Sequence, residues 1–134
     1  MDDARRSELL RVLLIERRAR SVPDLRRSLQ AAGCRVIAAD GGIDPGALAP
    51  DLIVFDLERP DPGVLGELAR LCDRQARPVI VFADESDVAS TRVAVQAGVS
   101  AYVVARRERV GAVLDVAIAR FETRQSLLRR LDDG

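Results

Sequence analysis

Two acidic residues of this sequence come directly after short apolar runs, where parallel strands place functional side chains. Glu16 follows residues 13–15, and Asp56 follows residues 53–55. If both runs are neighbouring strands of one parallel sheet, their carboxyl ends open onto the same crevice and the two carboxylates converge there. Converging carboxylates repel each other unless a cation lies between them. The sequence therefore predicts an acidic pocket of Glu16 and Asp56 that requires a counter-charge.

The residue types missing from the chain exclude several kinds of catalysis. The 134 residues include no His and no Lys, and all 21 basic residues are Arg. Nucleophile pairs that use His, histidine metal sites, Schiff bases and the lysine of a phosphate-binding loop are therefore excluded. The two cysteines, Cys34 and Cys72, match no zinc or redox spacing, so we interpret them as small hydrophobic residues in a reducing compartment. We expect a cytoplasmic protein that is not an enzyme.

Five short apolar runs alternate with helical patterns and would position the acidic residues. Strands are predicted at residues 11–15, 34–38, 52–55, 78–82 and 100–104. The first, third and fourth are apolar throughout, which is typical of parallel strands buried on both faces. This alternation predicts an α/β fold, a doubly wound sheet of five parallel strands with helices on both faces. Between residues 40 and 51, glycines and prolines leave room for only a turn or two of helix.

The pattern also gives the bounds of two helices. One should begin near Asp87 and end at Gly98, with an apolar side made of Val88, Thr91, Ala94 and Val95. The last should run from about residue 108 to residue 131, which is longer than a sheet of this size needs. Its heptad spacing, with one polar interruption, places these residues in one row: Val110, Leu114, Ala117, Phe121, Arg124, Leu128 and Leu131.

The first half of the last helix can cover the sheet, which divides the chain into a domain at residues 1–120 and an extension at residues 121–134. We expect the extension to be a coiled coil or a linker. A homodimer would then form through four apolar residues, Leu114, Phe121, Leu128 and Leu131. A terminal helix that frays in water is the alternative.

Four segments together resemble the receiver (CheY-like) domain of bacterial response regulators, over roughly residues 10 to 120. They are Leu13-Leu14-Ile15-Glu16, Pro50-Asp51-Leu52-Ile53-Val54-Phe55-Asp56, Pro78-Val79-Ile80-Val81-Phe82 and Ala97-Gly98-Val99-Ser100-Ala101-Tyr102-Val103-Val104. The resemblance implies a receiver-like domain at residues 1–120 with strand order 2-1-3-4-5. The last segment and residues 114–121 are also similar to NasT- and AmiR-type transcription antiterminators. Those proteins join a receiver-like domain through a long helix to an RNA-binding ANTAR domain, and this chain ends where that domain would begin.

The site residues that the resemblance implies are only partly present. Asp56 corresponds to the aspartate that accepts a phosphoryl group, and Tyr102 to the aromatic residue of the conformational switch. Ala83 stands where the family has a Thr or Ser whose hydroxyl contacts the phosphoryl group and completes the switch. Ala105-Arg106 stands where it has Lys-Pro, so the ammonium group that neutralises the phosphoryl group is missing.

Arg17 stands where the family has the second of two acidic residues that hold Mg²⁺ after the first strand. Mg²⁺ requires oxygen ligands in octahedral geometry, and a guanidinium removes one ligand while it adds a repelling positive charge. A guanidinium keeps its proton and can bind a carboxylate through two hydrogen bonds. We therefore expect no metal and no cofactor, with Arg17 in the place of the cation, beside Glu16 and across from Asp56.

These departures favour a degenerate receiver, or pseudo-receiver, that serves as a signal-input and dimerisation module in transcriptional or antitermination control. It would act through protein–protein contacts, and the similarity to NasT implies control by a partner sensor protein. The alternative is a conventional receiver that uses Mg²⁺ and is phosphorylated on Asp56 in a two-component phosphorelay.

Charge and hydropathy give little support to other ligands. The 21 basic residues are balanced by 21 acidic ones, and no apolar run is long enough to cross a bilayer. We therefore expect no direct nucleic-acid binding and no membrane binding by this chain. Arginines at positions 17, 18 and 20 lie beside a predicted helix start and could hold an anion, although the glycines of a phosphate-binding loop are missing.

Overall fold

Strands and helices alternate along the chain in the computed structural model, as the apolar runs predict. The structure describes residues 10–17, 24–39, 49–74, 77–105 and 109–133. The strands are β1 (Leu10–Arg17), β2 (Cys34–Ala39), β3 (Leu52–Leu57), β4 (Val79–Ala83) and β5 (Ala101–Val104). The helices are α1 (Asp24–Ala31), α2 (Pro62–Arg74), α3 (Val88–Ala97) and α4 (Val110–Asp133). Most of the predicted crossover segment, residues 40–48, lies outside the described residues.

The strands form one five-stranded sheet in the order β2-β1-β3-β4-β5. Every neighbouring pair is parallel, which confirms the predicted fold class and strand order. The strand order reverses at β1 and β3, whose register pairs Glu16 with Asp56. In such sheets the crevice at the carboxyl ends of these two strands is the place where ligands bind.

Each face of the sheet has its own core, because successive residues of a strand point to opposite faces. On one face, strand residues pack with α1 and α4, through Val12, Leu14, Leu25, Leu29, Val54, Phe82, Val113 and Leu114. On the other face they pack with α2 and α3, through Leu13, Ile15, Ile53, Phe55, Val64, Leu68, Val81 and Ala94. Burial of each large apolar side chain contributes about 1.5–3 kcal/mol. This double core fixes the positions of the strand ends that carry the site.

Two capping residues set the ends of α3. At its start, Oδ1 of Asp87 accepts a hydrogen bond from the backbone N–H of Ser90 at 2.6 Å. At its end, Gly98 adopts a φ of 108°, and its N–H donates to carbonyls of the last turn. A left-handed glycine of this kind is a common helix end. The predicted bounds of α3 are therefore confirmed.

The predicted apolar side of α3 is partly wrong. Ala94 is fully buried, but Val88 and Val95 are 74% and 56% exposed. The helix instead packs through small side chains, and the hydrogen bond between the hydroxyls of Thr91 and Ser86 holds that side of α3 toward the preceding loop. The seven-residue spacing of Val88 and Val95 does not reveal the rotation of α3, because a polar contact helps to set it.

α4 is one continuous helix of 24 residues, about 36 Å long. Its first half packs on the sheet, and Leu114 belongs to the core with an exposure of 3%. The predicted dimer contact through Leu114 is therefore wrong, because this side chain is used within the domain. Past the sheet, Leu127, Leu128 and Leu131 are 53%, 46% and 76% exposed. Neither α4 nor any other helix in the described residues is long and apolar enough to span a membrane.

Candidate functional site

Asp56 is buried at the carboxyl end of β3. It is 2% exposed and is the only buried charged residue in the described part of the chain. It lies in register between Glu16 of β1 and Phe82 of β4. Because it follows Val54 by two positions, it points to the face covered by α1 and α4. A buried carboxylate needs hydrogen-bond partners, and no buried side-chain nitrogen or oxygen of the described residues lacks one.

Glu16 receives its counter-charge from Arg26 on α1. Nη2 of Arg26 lies 3.5 Å from Oε1 of Glu16, and the two side chains are 42% and 22% exposed. An ion pair this exposed contributes no more than about 1 kcal/mol. Sequence reasoning missed Arg26, because a contact between a helix and a strand end follows no periodicity in the sequence.

Arg17 lies elsewhere than predicted. Its Nη2 donates to Oε1 and Oε2 of Glu67 on α2, at 3.2 and 3.1 Å, and its Nη1 lies 3.4 Å from the carbonyl of Glu16. Neighbouring residues of a strand point to opposite faces, so the guanidinium lies on the α2 side while the Glu16 and Asp56 side chains lie on the other. The prediction that Arg17 replaces the metal ion between these carboxylates is therefore wrong.

The described residues do not make a preformed Mg²⁺ site. No group of three His, Cys, Asp or Glu residues that could hold a metal ion exists among them. Glu16 and Asp56 are the two carboxylates in register, and Glu16 is already paired with Arg26. Mg²⁺ is usually bound through one or two carboxylates and several waters, and here the guanidinium of Arg26 places a competing positive charge beside one of the two carboxylates.

The ends of β4 and β5 present methyl groups. Ala83 is the last residue of β4 and is 3% exposed, so it brings no hydroxyl to the site. Its carbonyl accepts a hydrogen bond from the N–H of Ala105 at 2.9 Å. Ala105 has a φ of 52°, a backbone conformation that residues other than glycine adopt rarely. Neither strand end offers a side chain that could contact a phosphoryl group on Asp56.

Tyr102 has a hydroxyl partner that sequence reasoning missed. Its hydroxyl lies 2.8 Å from Oγ of Ser86, in the loop between β4 and α3. Oγ of Ser86 is also 2.9 Å from Oγ1 of Thr91, whose hydroxyl donates to the carbonyl of Asp87 at 2.8 Å. These bonds tie β5 to the first turn of α3. Ser86 escaped notice because the family pattern directs attention to Ala83, three residues earlier.

Comparison with solved structures defines the class of fold. The receiver domain of a modulated diguanylate cyclase from Desulfovibrio desulfuricans G20 matches with a TM-score of 0.69 and 19% identity, over 87% of this chain and 98% of that one. A response regulator receiver domain protein from Clostridium thermocellum matches with a TM-score of 0.65 and 17% identity, over 90% and 99%. A Burkholderia pseudomallei response regulator, described with a phosphorylated aspartic acid, calcium and citrate, gives 0.61 and 23%, over 92% and 75%.

At these identities the likeness shows that the chain has the fold of response regulator receiver domains. No protein-family model and no curated protein sequence matches it. Asp56 lies at the carboxyl end of β3, in the crevice beside β1. This crevice is the candidate functional site of the fold.

Proposed function

We propose that this chain is a degenerate receiver, a non-catalytic signal-input and dimerisation module that works through protein–protein contacts. The observation that carries the proposal is that, among the described residues, the ends of β1, β4 and β5 bring neither a hydroxyl nor a cation to the buried Asp56. Arg17 is turned toward Glu67, Ala83 has no hydroxyl, and Ala105 has no ammonium group. Phosphoryl transfer depends on positioned positive charge and hydrogen-bond donors around the developing negative charge.

Ser86, the first hydroxyl residue after Ala83 in the sequence, already has hydrogen-bond partners. Ser86 is within hydrogen-bond distance of both Tyr102 and Thr91. Its hydroxyl therefore stabilises the loop between β4 and α3 and is not available to bind a phosphoryl oxygen. A domain fixed in this way would receive its signal by contact with another protein, and we propose a partner sensor protein for that role. The similarity of residues 98–104 and 114–121 to NasT- and AmiR-type proteins supports a role in transcriptional or antitermination control.

Dimerisation would use the part of α4 that extends past the sheet. Leu127 and Leu131 are more than half exposed and lie four residues apart, on one side of the helix. Apolar side chains at that spacing can pair with a second copy of the same helix. The proposed contact therefore moves away from Leu114 toward the end of the helix.

Treatment with acetyl phosphate and Mg²⁺, followed by intact-mass spectrometry, tests the degenerate state. We expect no added phosphate on the parent chain and none on Asp56→Asn, because the acceptor has neither a metal site nor a phosphoryl-binding hydroxyl. A stoichiometric phosphate on the parent that is absent from Asp56→Asn would reject the proposal. It would favour the conventional reading, in which Asp56 is phosphorylated in a two-component phosphorelay.

A further inference from the structure

A cavity lies at the end of the sheet opposite to Asp56. Its walls come from segments that lead into β4 and β5 and from the end of α2, and α4 closes it from the side. Its volume is about 320 Å³, which is the volume of about ten water molecules in the liquid and falls within the range of small-molecule pockets. Residues from four separate segments line it, among them Cys72, Arg77, Gly98, Phe121, Arg124 and Leu128.

Two arginines lie in the described lining of the cavity. Arg77 and Arg124 both line it, and no acidic residue is among the described residues that do. Nε of Arg77 donates to the carbonyl of Pro50 at 2.7 Å, which fixes the position of its guanidinium. Burial raises the pKa of the Cys72 thiol, and the positive charge of Arg124 partly offsets that rise. A guanidinium group is suited to a carboxylate or phosphate, which Arg124 can bind through paired hydrogen bonds while Arg77 adds positive charge to the same site.

Arg124 is held loosely enough to engage a ligand. Its one hydrogen bond to the protein among the described contacts is a long one, 3.4 Å from Nη1 to the carbonyl of Gly98. The guanidinium lies directly over that glycine, where a Cβ atom would approach Nη1 to 2.8 Å. The absence of a side chain at Gly98 therefore leaves the space in which Arg124 sits at the cavity wall.

The rest of the lining gives the cavity an apolar side. Phe121 and Leu128 lie one turn before and one turn after Arg124 and line the same cavity. We propose that the cavity binds a small organic anion, with its phosphate or carboxylate between Arg77 and Arg124 and its apolar body against Phe121 and Leu128. A ligand of about ten to fifteen non-hydrogen atoms would fill this volume.

Binding there would act on the helix that leaves the domain. The bound anion would join α4 to α2 and α3 beyond the sheet, where the helix has few other contacts. Mass action would then stabilise the extended form of α4. This second step rests on the proposed function: a receiver that no longer accepts a phosphoryl group would take a small anion as its input and pass the signal to the exposed leucines of α4.

Phenyl phosphate is a suitable probe, because it combines a phosphate with an apolar ring. We expect calorimetric titration of the intact chain at low ionic strength to show binding, and the Gly98 amide signal to shift in ¹⁵N–¹H NMR spectra. Arg124→Gln should weaken binding about tenfold, since it removes a charge-assisted hydrogen bond. Arg124→Lys, which retains the charge without the planar fork, should lie between the two. Arg120→Gln, exposed one turn earlier on the same helix, should bind within about twofold of the parent.

Several results would overturn the proposal. Equal weakening in Arg124→Gln and Arg120→Gln would mean general charge attraction, and equally tight binding of benzyl alcohol would mean an apolar pocket without anion preference. Shifts near Asp56 in place of Gly98, or no binding at millimolar phenyl phosphate, would also reject the site. Phosphorylation of Asp56 would reject the proposed function and leave this titration intact. If phenyl phosphate binds without changing the self-association of the chain, the anion site is supported, and the proposal that the bound anion acts on α4 is rejected.

Discussion

The hydroxyl of Tyr102 is held in place by the protein itself. Tyr102, Ser86 and Thr91 form a connected set of hydrogen bonds between β5 and α3. Each such bond contributes about 1 kcal/mol net to the free energy of unfolding, and connected bonds reinforce each other. The orientation of Tyr102 therefore depends on the loop before α3, and the missing hydroxyl at Ala83 does not leave it free.

Removing either end of the Tyr102–Ser86 bond should destabilise the protein. We expect Tyr102→Phe to lower the free energy of unfolding by about 1 kcal/mol in urea titrations, and Ser86→Ala to lower it more, because that change also deletes the bond to Thr91. The double variant should lose less than the sum, because both changes delete the same bond. Gln96→Ala, exposed on the same helix, serves as the control and should be nearly neutral. Strictly additive losses would show that the two hydroxyls do not interact.

The neighbours Glu16 and Arg17 mark how far single residues can be predicted. The pairing of Glu16 with Asp56 was predictable, because both end strands on either side of the switch point. The opposite direction of Arg17 was also implied by strand alternation, but the family pattern of two metal-binding acids obscured it. Arg26 and Ser86 were not predictable, because a contact between a helix or loop and a strand end follows no periodicity in the sequence.

At the scale of elements, caps proved more informative than apolar rows. Asp87 and Gly98 bound α3 where the sequence predicts, since each satisfies backbone groups locally. The rotation of α3 was wrong because small residues and a hydroxyl, and not its valines, face the core. In α4 the residues of the heptad row differ in burial: Leu114 is buried in the core, and Leu131 is exposed to solvent. A repeat shows that a helix has an apolar side, but it does not show how many surfaces share it.

The N-cap of α3 should make stability depend on pH. The hydrogen bond from the backbone of Ser90 lowers the pKa of Asp87 from its ordinary value of 3.8. A carboxylate whose pKa is lower in the folded state stabilises the protein above its unfolded-state pKa, and that stabilisation is lost as pH falls through the folded value. Asp87→Ala should therefore lower the thermal midpoint at neutral pH, and its difference from the parent should shrink below about pH 4.

Asp87→Asn separates the cap from its charge. Asn is as good an N-cap as Asp, so its thermal midpoint at neutral pH should lie closer to that of the parent than the midpoint of Asp87→Ala does. A difference between Asp87→Ala and the parent that stays constant down to about pH 2 would mean that the ionised carboxylate is not the stabilising form.

At the scale of the whole molecule, two charged regions lie at opposite ends of the sheet. The acidic pocket of Glu16 and Asp56 is at the carboxyl ends of β1 and β3, and the cavity of Arg77 and Arg124 is at the other end. α4 begins after β5, near the first region, and runs past the second. The fold class was predictable from the apolar runs and the strand order from the resemblance to receiver domains, whereas this second region depends on where a long helix ends relative to the sheet.

The end of α4 should hold two copies of the chain together. Leu127 and Leu131 are exposed on a helix that has passed the sheet, and a helix end without tertiary packing is only marginally stable in water. Pairing with a second copy would bury these side chains and stabilise the last turns. Sedimentation velocity should therefore show a dimer for the intact chain and a monomer for the double variant Leu127→Glu with Leu131→Glu.

The matched control is a charge placed on another exposed apolar surface. Val95 on α3 is 56% exposed, so Val95→Glu with Val88→Glu adds the same charge away from α4 and should leave the dimer intact. Both double variants should still unfold cooperatively on heating, because none of the four residues belongs to the core. If the α3 variant dissociates and the α4 variant does not, the contact lies on α3. If the parent is a monomer at high concentration, α4 ends as an unpaired helix, and the dimerisation part of the proposed function is wrong.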